Sequence, residues 1–114
     1  MTPAAVLADL RAGRDVPLSE VRAAVKQTLA RLTAAAPGRA VEVRIPPVAA
    51  VQAVPGGSHR RGTPPAVVET DPLTWLALAL GDLRWAEAVE SGSVRASGER
   101  SDLSGYLPLS QPEG

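Results

Sequence analysis

The sequence contains no cysteine and no phenylalanine, and only one histidine among its 114 residues. Without cysteine there can be no disulfide bond, no thiolate zinc site and no cysteine nucleophile. His59 alone cannot assemble a closed zinc site of the usual kind, so we expect no metal and no cofactor. No apolar run approaches the ~18 residues of a membrane span, and Asp9 interrupts the amino-terminal stretch before a secretory signal could form. The sequence therefore predicts a cytoplasmic protein with no integral membrane segment.

Aromatic residues make up only 3% of the chain, so the core must be built from Ala, Val and Leu. Small side chains fill space less completely, which makes an internal cavity conceivable. The net charge is zero, whereas duplex-binding proteins rely on clustered positive charge, so we expect no nucleic-acid partner. The length predicts one domain over residues 1–110, followed by a disordered tail at residues 111–114.

The sequence offers no catalytic constellation. A Ser-His-Asp triad needs an oriented nucleophile, but the chain has no G-x-S-x-G elbow. Glu87 and Glu90 share a helical face, but nothing adjacent would raise a carboxylate pKa, so a solvated face explains them better than a general acid/base pair. We therefore predict no catalytic residue and a protein that is not an enzyme.

Helix and strand signals alternate along the chain. A first helix follows the cap Thr2 and stops at Gly13, and a second over residues 20–36 is capped by Ser19. The apolar period then changes from 3.6 to 2, which predicts strands at residues 41–45, 48–54, 66–70 and 93–97, with a Pro/Gly-rich loop at 55–65.

The most informative segment is the predicted helix over residues 72–80, which is apolar around its whole circumference. Leu73, Leu76, Ala77 and Leu80 share one face, and Trp75, Leu78 and Ala79 share the opposite one. A sheet can cover only one of these faces. The other must meet the carboxyl-terminal segment, another helix, a second subunit or a ligand. A short helix between Gly81 and Gly92 and a final turn, capped by Ser101, complete the elements.

Residues 68–109 resemble the carboxyl-terminal half of the sterol carrier (non-specific lipid transfer) domain, in particular its compact bacterial branch. They are also similar to the segment that closes the mycothiol-dependent maleylpyruvate isomerases. The matching pieces, in order, are a strand, Thr70-Asp71, a helix, Gly81-Asp82-Leu83, a second helix, Ser91-Gly92 and the strand Val94-Arg95-Ala96-Ser97-Gly98. Upstream, residues 36–54 and 61–72 are similar to the same branch. The likeness covers about four-fifths of the chain.

The resemblance implies an α+β fold, with an antiparallel sheet of four to five strands and helices packed on one face. It also implies an apolar tunnel between sheet and helices that takes fatty acyl chains or sterols. Two features depart from the larger members. Only four strands can be counted where those members have five, and the chain lacks the peroxisomal tripeptide of the eukaryotic ones.

We predict a ligand cavity lined by apolar side chains of the last helices and the last strand, namely Trp75, Leu78, Val94, Ala96, Leu103, Tyr106 and Leu107. For Trp75, plain core packing is the alternative. His59, Arg60 and Arg61 could bind a carboxylate or phosphate head group at the cavity rim, with a solvated turn as the alternative.

The expected function is reversible binding or carrying of an apolar ligand. Each buried methylene contributes ~0.8 kcal/mol, so eight carbons offer ~6 kcal/mol before the cost of association. The alternative is an interaction or accessory module, either a homodimer or an enzyme partner. In that case a second chain would cover the Trp75 face, and no small molecule would be involved.

Overall fold

The computed structural model describes residues 1–56 and 66–109. Helices and strands follow one another in the predicted order. They are α1 (Pro3–Arg11), α2 (Leu18–Ala35), β1 (Val41–Ile45), β2 (Ala49–Ala53), β3 (Ala66–Thr70), α3 (Pro72–Leu80), α4 (Trp85–Glu90) and β4 (Val94–Ser97). The predicted bounds of β1, β3 and α3 are confirmed to the residue. No helix in the described ranges is long and apolar enough to cross a membrane.

The four strands form one mixed sheet in the order β2-β1-β3-β4. The α+β class is confirmed, and the β1–β2 and β3–β4 pairs are antiparallel as expected. The central β1–β3 pair is parallel, so the expectation of a purely antiparallel sheet is wrong. Ala53 at the end of β2 and Ala66 at the start of β3 both pair with Val41. Because Val41 is the first residue of β1, β2 ends and β3 begins at the same edge of the sheet, and β3 runs in the same direction as β1.

Burial alternates along the central strands, so only one face of the sheet is covered. Val41, Val43 and Ile45 are fully buried in β1, while Arg44 between them is exposed. In β3, residues 66, 68 and 70 are buried in the same way. On the covered side α2 packs against β2, α1, α2 and α3 pack against one another, and α4 packs against β4. The core lies between this helical layer and the sheet.

The first two helices begin differently. Thr2 caps α1 as predicted, because its Oγ1 accepts a hydrogen bond from the Ala5 N–H at 3.1 Å. The predicted cap of α2 at Ser19 is wrong. Pro17 stands at the cap position without a side-chain hydrogen bond, and its carbonyl accepts from the N–H of Glu20 at 2.9 Å. A proline just before the first turn has its φ fixed in a compatible range, so the helix can start without a polar cap.

Helix α3 has both of the predicted end signals. The Asp71 carboxylate accepts from the Thr74 N–H and from the Thr74 hydroxyl, both at 2.8 Å. Gly81 ends the helix in the left-handed region at φ 87°. The predicted Ser101 cap is wrong, since the Ser101 hydroxyl donates to the Gly98 carbonyl instead, and residues 104–106 form a turn.

Candidate functional site

Trp75 of α3 is fully buried and donates a hydrogen bond to another helix. Its indole Nε1 donates to the Oγ1 of Thr28 in α2 at 2.8 Å. The Thr28 hydroxyl lies 2.8 Å from the carbonyl of Ala24 and 3.0 Å from that of Val25, so it donates back into its own helix while it accepts from the indole. The face of α3 that a sheet could not cover is therefore packed against α2 at Trp75.

Thr28 was not singled out from the sequence, although a signal was present. It falls on the buried side of α2 together with Val25, Leu29 and Leu32. A hydroxyl within an apolar helical stripe must find a partner, because burying it unpaired costs free energy. That reasoning could have selected Thr28, but it could not have named Trp75, which is 47 residues away.

The last described part of the chain also covers α3. We call residues 98–109 the closing segment. Its Leu109 N–H donates to the Ala79 carbonyl of α3 at 2.9 Å, and the side chains of Leu103 and Leu109 are buried. Two of the covers considered for α3, another helix and the carboxyl-terminal segment, are thus present within a single chain.

The seven predicted lining residues fall into three groups. Trp75, Leu78, Val94 and Leu103 are buried members of the core cluster. Tyr106 and Leu107 are half-buried and pack against that cluster. Ala96 is exposed, and the structure does not bring it into the core.

The exposure of Ala96 marks where the helical cover ends. Ala96 pairs with Val68 across the β3–β4 ladder, and paired residues share a face of the sheet. Val68 is 1% exposed, so the inner face of the sheet is covered at β3 and open one strand farther out. The inner face is therefore accessible at the Ala96 end of β4, whereas Val94, on the same face at the start of the strand, is 3% exposed.

The closing segment contains neither helix nor strand. Besides the Leu109 bond, the Arg100 guanidinium donates to the Pro55 carbonyl at 3.3 Å. Within the segment, Asp102 accepts a hydrogen bond from the Ser104 N–H at 2.9 Å, which holds the pKa of the Asp102 carboxyl below its ordinary value. The apolar part of the attachment consists of the buried side chains of Leu103 and Leu109 and the half-buried side chains of Tyr106 and Leu107.

A separate, polar cleft of about 350 Å³ lies where β1 and β3 end and β4 begins. None of the seven predicted residues lines it. Its polar groups are largely used within the fold, since Asp71 caps α3 and the Thr70 hydroxyl donates to the Ser93 carbonyl at 2.6 Å. Its lining consists of Pro46, Glu69, Thr70, Asp71, Gly92, Ser93 and Arg95.

The uncovered face of the sheet is charged. Arg44 donates to Glu42 at 2.9 Å, which lowers the pKa of the Glu42 carboxyl. Arg44, Glu69 and Arg95 are opposite one another in register across three strands. Opposite charges in neighbouring strands favour a hydrated surface, so an apolar ligand is better matched to the helical side.

The predicted head-group residues His59, Arg60 and Arg61 lie outside the described residues, as does the predicted tail at 111–114. Among residues 1–56 and 66–109, no group of three or more His, Cys, Asp or Glu side chains could hold a metal ion.

A comparison with known families matches most of the chain. The family model described as bacterial SCP ortholog matches residues 17–109, which include everything from α2 to the closing segment. No curated protein matches the chain. The match covers most of the sequence and includes the residues that carried the resemblance, so the chain belongs to the family of bacterial orthologues of sterol carrier protein.

Proposed function

We propose that this protein reversibly binds and carries an apolar ligand, a fatty acyl chain or a sterol-like molecule, without catalysis. The observation that carries the proposal is the closing segment. It bonds to α3 through the Leu109 N–H, buries the side chains of Leu103 and Leu109 in the core, and has no regular secondary structure of its own. Membership in the sterol carrier family supports the same function.

The energy of ligand entry favours long chains. Displacing the buried side chains of Leu103 and Leu109 costs roughly 1.5–3 kcal/mol each. Eight ligand methylenes, at ~0.8 kcal/mol each, only offset this cost, whereas fourteen contribute ~11 kcal/mol and leave a surplus toward association. We therefore expect long acyl chains to bind and short ones to bind poorly.

The ligand would enter beside β4. Ala96 leaves the inner face of the sheet open there, and Tyr106 and Leu107 are half-buried on the core. These three residues would touch the ligand first, whereas Trp75, Leu78, Val94 and Leu103 would form the deeper wall once the closing segment moves.

The alternative is an accessory module that binds another protein and no small molecule. The exposed side chains of Leu73 and Val89, at 37% and 42%, favour it, since apolar groups on the surface gain by being covered. The two proposals differ in what they predict for lipid binding.

Fluorescence titration with cis-parinaric acid, followed by competition with palmitate and cholesterol, tests the carrier proposal. Replacing the half-buried Leu107 by Glu places a charge against the apolar core, so we expect the Kd to rise at least about tenfold, which corresponds to ~1.4 kcal/mol. The matched control is Val89→Glu, which introduces the same charged residue at an exposed apolar position on α4 and should leave the Kd within about twofold.

Two results would contradict the carrier proposal. One is the absence of binding by the unmodified protein at lipid concentrations up to about 100 µM. Any binding free energy would then be smaller than ~5.5 kcal/mol. The other is an equal effect of both glutamate variants, because adsorption to the general surface would then explain the signal. Failure of lipid binding together with capture of a defined protein partner would favour the accessory module.

A further inference from the structure

Strand β2 forms one edge of the sheet and contains neither a charged residue nor a proline. Edge strands are commonly guarded by charged side chains or proline, because their unpaired backbone groups can pair with another chain. Residues 45–56 contain no charged residue, and no proline lies within Ala49–Ala53. The opposite edge, β4, carries Arg95 and packs against α4.

The backbone of β2 is paired on one side only. Its register with β1 runs from Val41–Ala53 to Ile45–Ala49. Flanking bonds involve the neighbouring residues, with the Val48 N–H donating to Ile45 and the Val54 N–H donating to Ala36. In the parts of the chain that the structure describes, no backbone group pairs with the outer side of β2.

We propose that the outer edge of β2 pairs antiparallel with β2 of a second copy of this chain. The result is a two-fold dimer in which the two four-stranded sheets form one continuous eight-stranded sheet. Antiparallel pairing of identical strands satisfies two-fold symmetry, with the axis near Val51 at the middle of the strand. Both sets of helices then lie on the same side of the joined sheet.

Side-chain size and charge favour a second copy as the partner. Alanine, valine and glutamine in β2 leave room for close approach, and the half-buried Ala49 and Val51 would gain cover. The charges nearest the new junction on the sheet are Glu42 and Arg44, both on β1. Across the dimer the two β1 strands are three strand spacings apart, about 14 Å, which exceeds the Debye length of ~8 Å at physiological salt. Repulsion between these charges is therefore screened.

Sedimentation equilibrium of the full chain tests the dimer. We expect the mass to rise with concentration from 11.8 kDa toward twice that value. The double change Ala50→Lys and Gln52→Lys places lysines opposite one another across the junction, at positions that are exposed in the monomer. This double change should raise the dissociation constant of the dimer about tenfold or more. The matched control, Ser97→Lys on the exposed β4, should leave the dimerisation constant unchanged.

Spin labels establish which edge forms the junction, because the chain has no cysteine of its own to compete for the label. A label at Gln52→Cys should give an inter-subunit distance below about 20 Å, since the two strands are adjacent. A label at Ser97→Cys lies seven strand spacings from its counterpart, so its distance should exceed about 30 Å. The reverse order would assign the junction to β4.

Three outcomes would overturn the proposal. The first is a chain that stays monomeric at about 1 mM, a concentration that corresponds to an association free energy of about 4 kcal/mol. The others are equal weakening of the dimer by the β2 and β4 lysine variants and a short inter-subunit distance between labels at position 97. An unchanged secondary-structure spectrum shows that the lysine variants remain folded. The proposal does not depend on lipid binding, so either one can fail without the other.

Discussion

The hydrogen bond between Trp75 and Thr28 joins two helices inside the core, and removing its acceptor gives a measurable loss of stability. Both side chains are 0% exposed, and no buried side-chain nitrogen or oxygen among the described residues lacks a partner. The change Thr28→Val keeps the shape of the side chain but replaces the hydroxyl by a methyl group. The indole N–H then stays buried without an acceptor.

The size of the effect follows from that unpaired donor. A buried donor left without a partner costs about 1–3 kcal/mol, so we expect Thr28→Val to lower the free energy of unfolding by about 2 kcal/mol. The bond that Thr28 donates within α2 contributes less, because the helix carbonyls are already bonded to backbone N–H groups. With a urea m-value of about 1–3 kcal/mol/M, the midpoint should fall by about 1 M.

Urea unfolding followed by far-ultraviolet circular dichroism provides the measurement. Thr33→Val in the same helix is a matched control, since the Thr33 hydroxyl donates to the Ala30 carbonyl of its own helix at 2.9 Å. It should change the stability by less than about 0.5 kcal/mol. In a Trp75→Phe background, which has no indole N–H, Thr28→Val should cost little, so the double-mutant cycle isolates the bond.

The reasoning would be refuted by equal losses for Thr28→Val and Thr33→Val. It would also be refuted by a Thr28→Val effect that is the same with phenylalanine at position 75 as with tryptophan. Either result would mean that the indole does not depend on the Thr28 hydroxyl.

Gly38→Ala should destabilise the protein by about 3 kcal/mol or more, because a Cβ there would overlap the Val54 carbonyl. Gly13 also has a positive φ, but nothing lies within 4 Å of the Cβ position, so Gly13→Ala should cost only about 1–2 kcal/mol. Thermal unfolding of the two variants measures the difference. Asp102 should titrate below its ordinary pKa in NMR. The stabilisation that the Ser104 N–H gives the Asp102 carboxylate is therefore complete above the unfolded-state pKa and is lost as the pH falls through the lower folded-state pKa. An ordinary Asp102 pKa in the folded protein would contradict this.

The best sequence predictions were those in which local chemistry and burial agreed. β1 and β3 were placed correctly because their alternating pattern encodes which side chains face the core. α3 was placed correctly because Asp71, Pro72 and Gly81 mark both of its ends. In each case the signal lies within the element or beside it.

The wrong predictions concern choices that tertiary structure makes. Alternation does not encode the direction of a neighbouring strand, so the parallel β1–β3 pair was not foreseen. Ser19 is a better intrinsic cap than Pro17, yet the packed helix begins at Leu18. Local preference was outweighed in both cases by where the rest of the chain lies.

For the candidate site, the all-round apolarity of α3 correctly indicated that two covers were needed. It could not identify them, because the positions of α2 and of the closing segment depend on contacts between residues far apart in sequence. The exposure of Ala96 escaped prediction for the same reason. Its residue type fits a core, and only its place at an edge strand leaves it uncovered.

The distance between the end of β2 and the start of β3 is shorter than the number of connecting residues could span. Ala53 and Ala66 flank Val41 on either side, so they are two strand spacings apart, about 10 Å. Three or four extended residues would bridge that gap, yet residues 54–65 separate the two strands. A shorter connection could therefore join the two strands without shifting either ladder of β1, provided that it kept Val54, whose N–H donates to the Ala36 carbonyl and whose own carbonyl accepts from the Ala40 N–H.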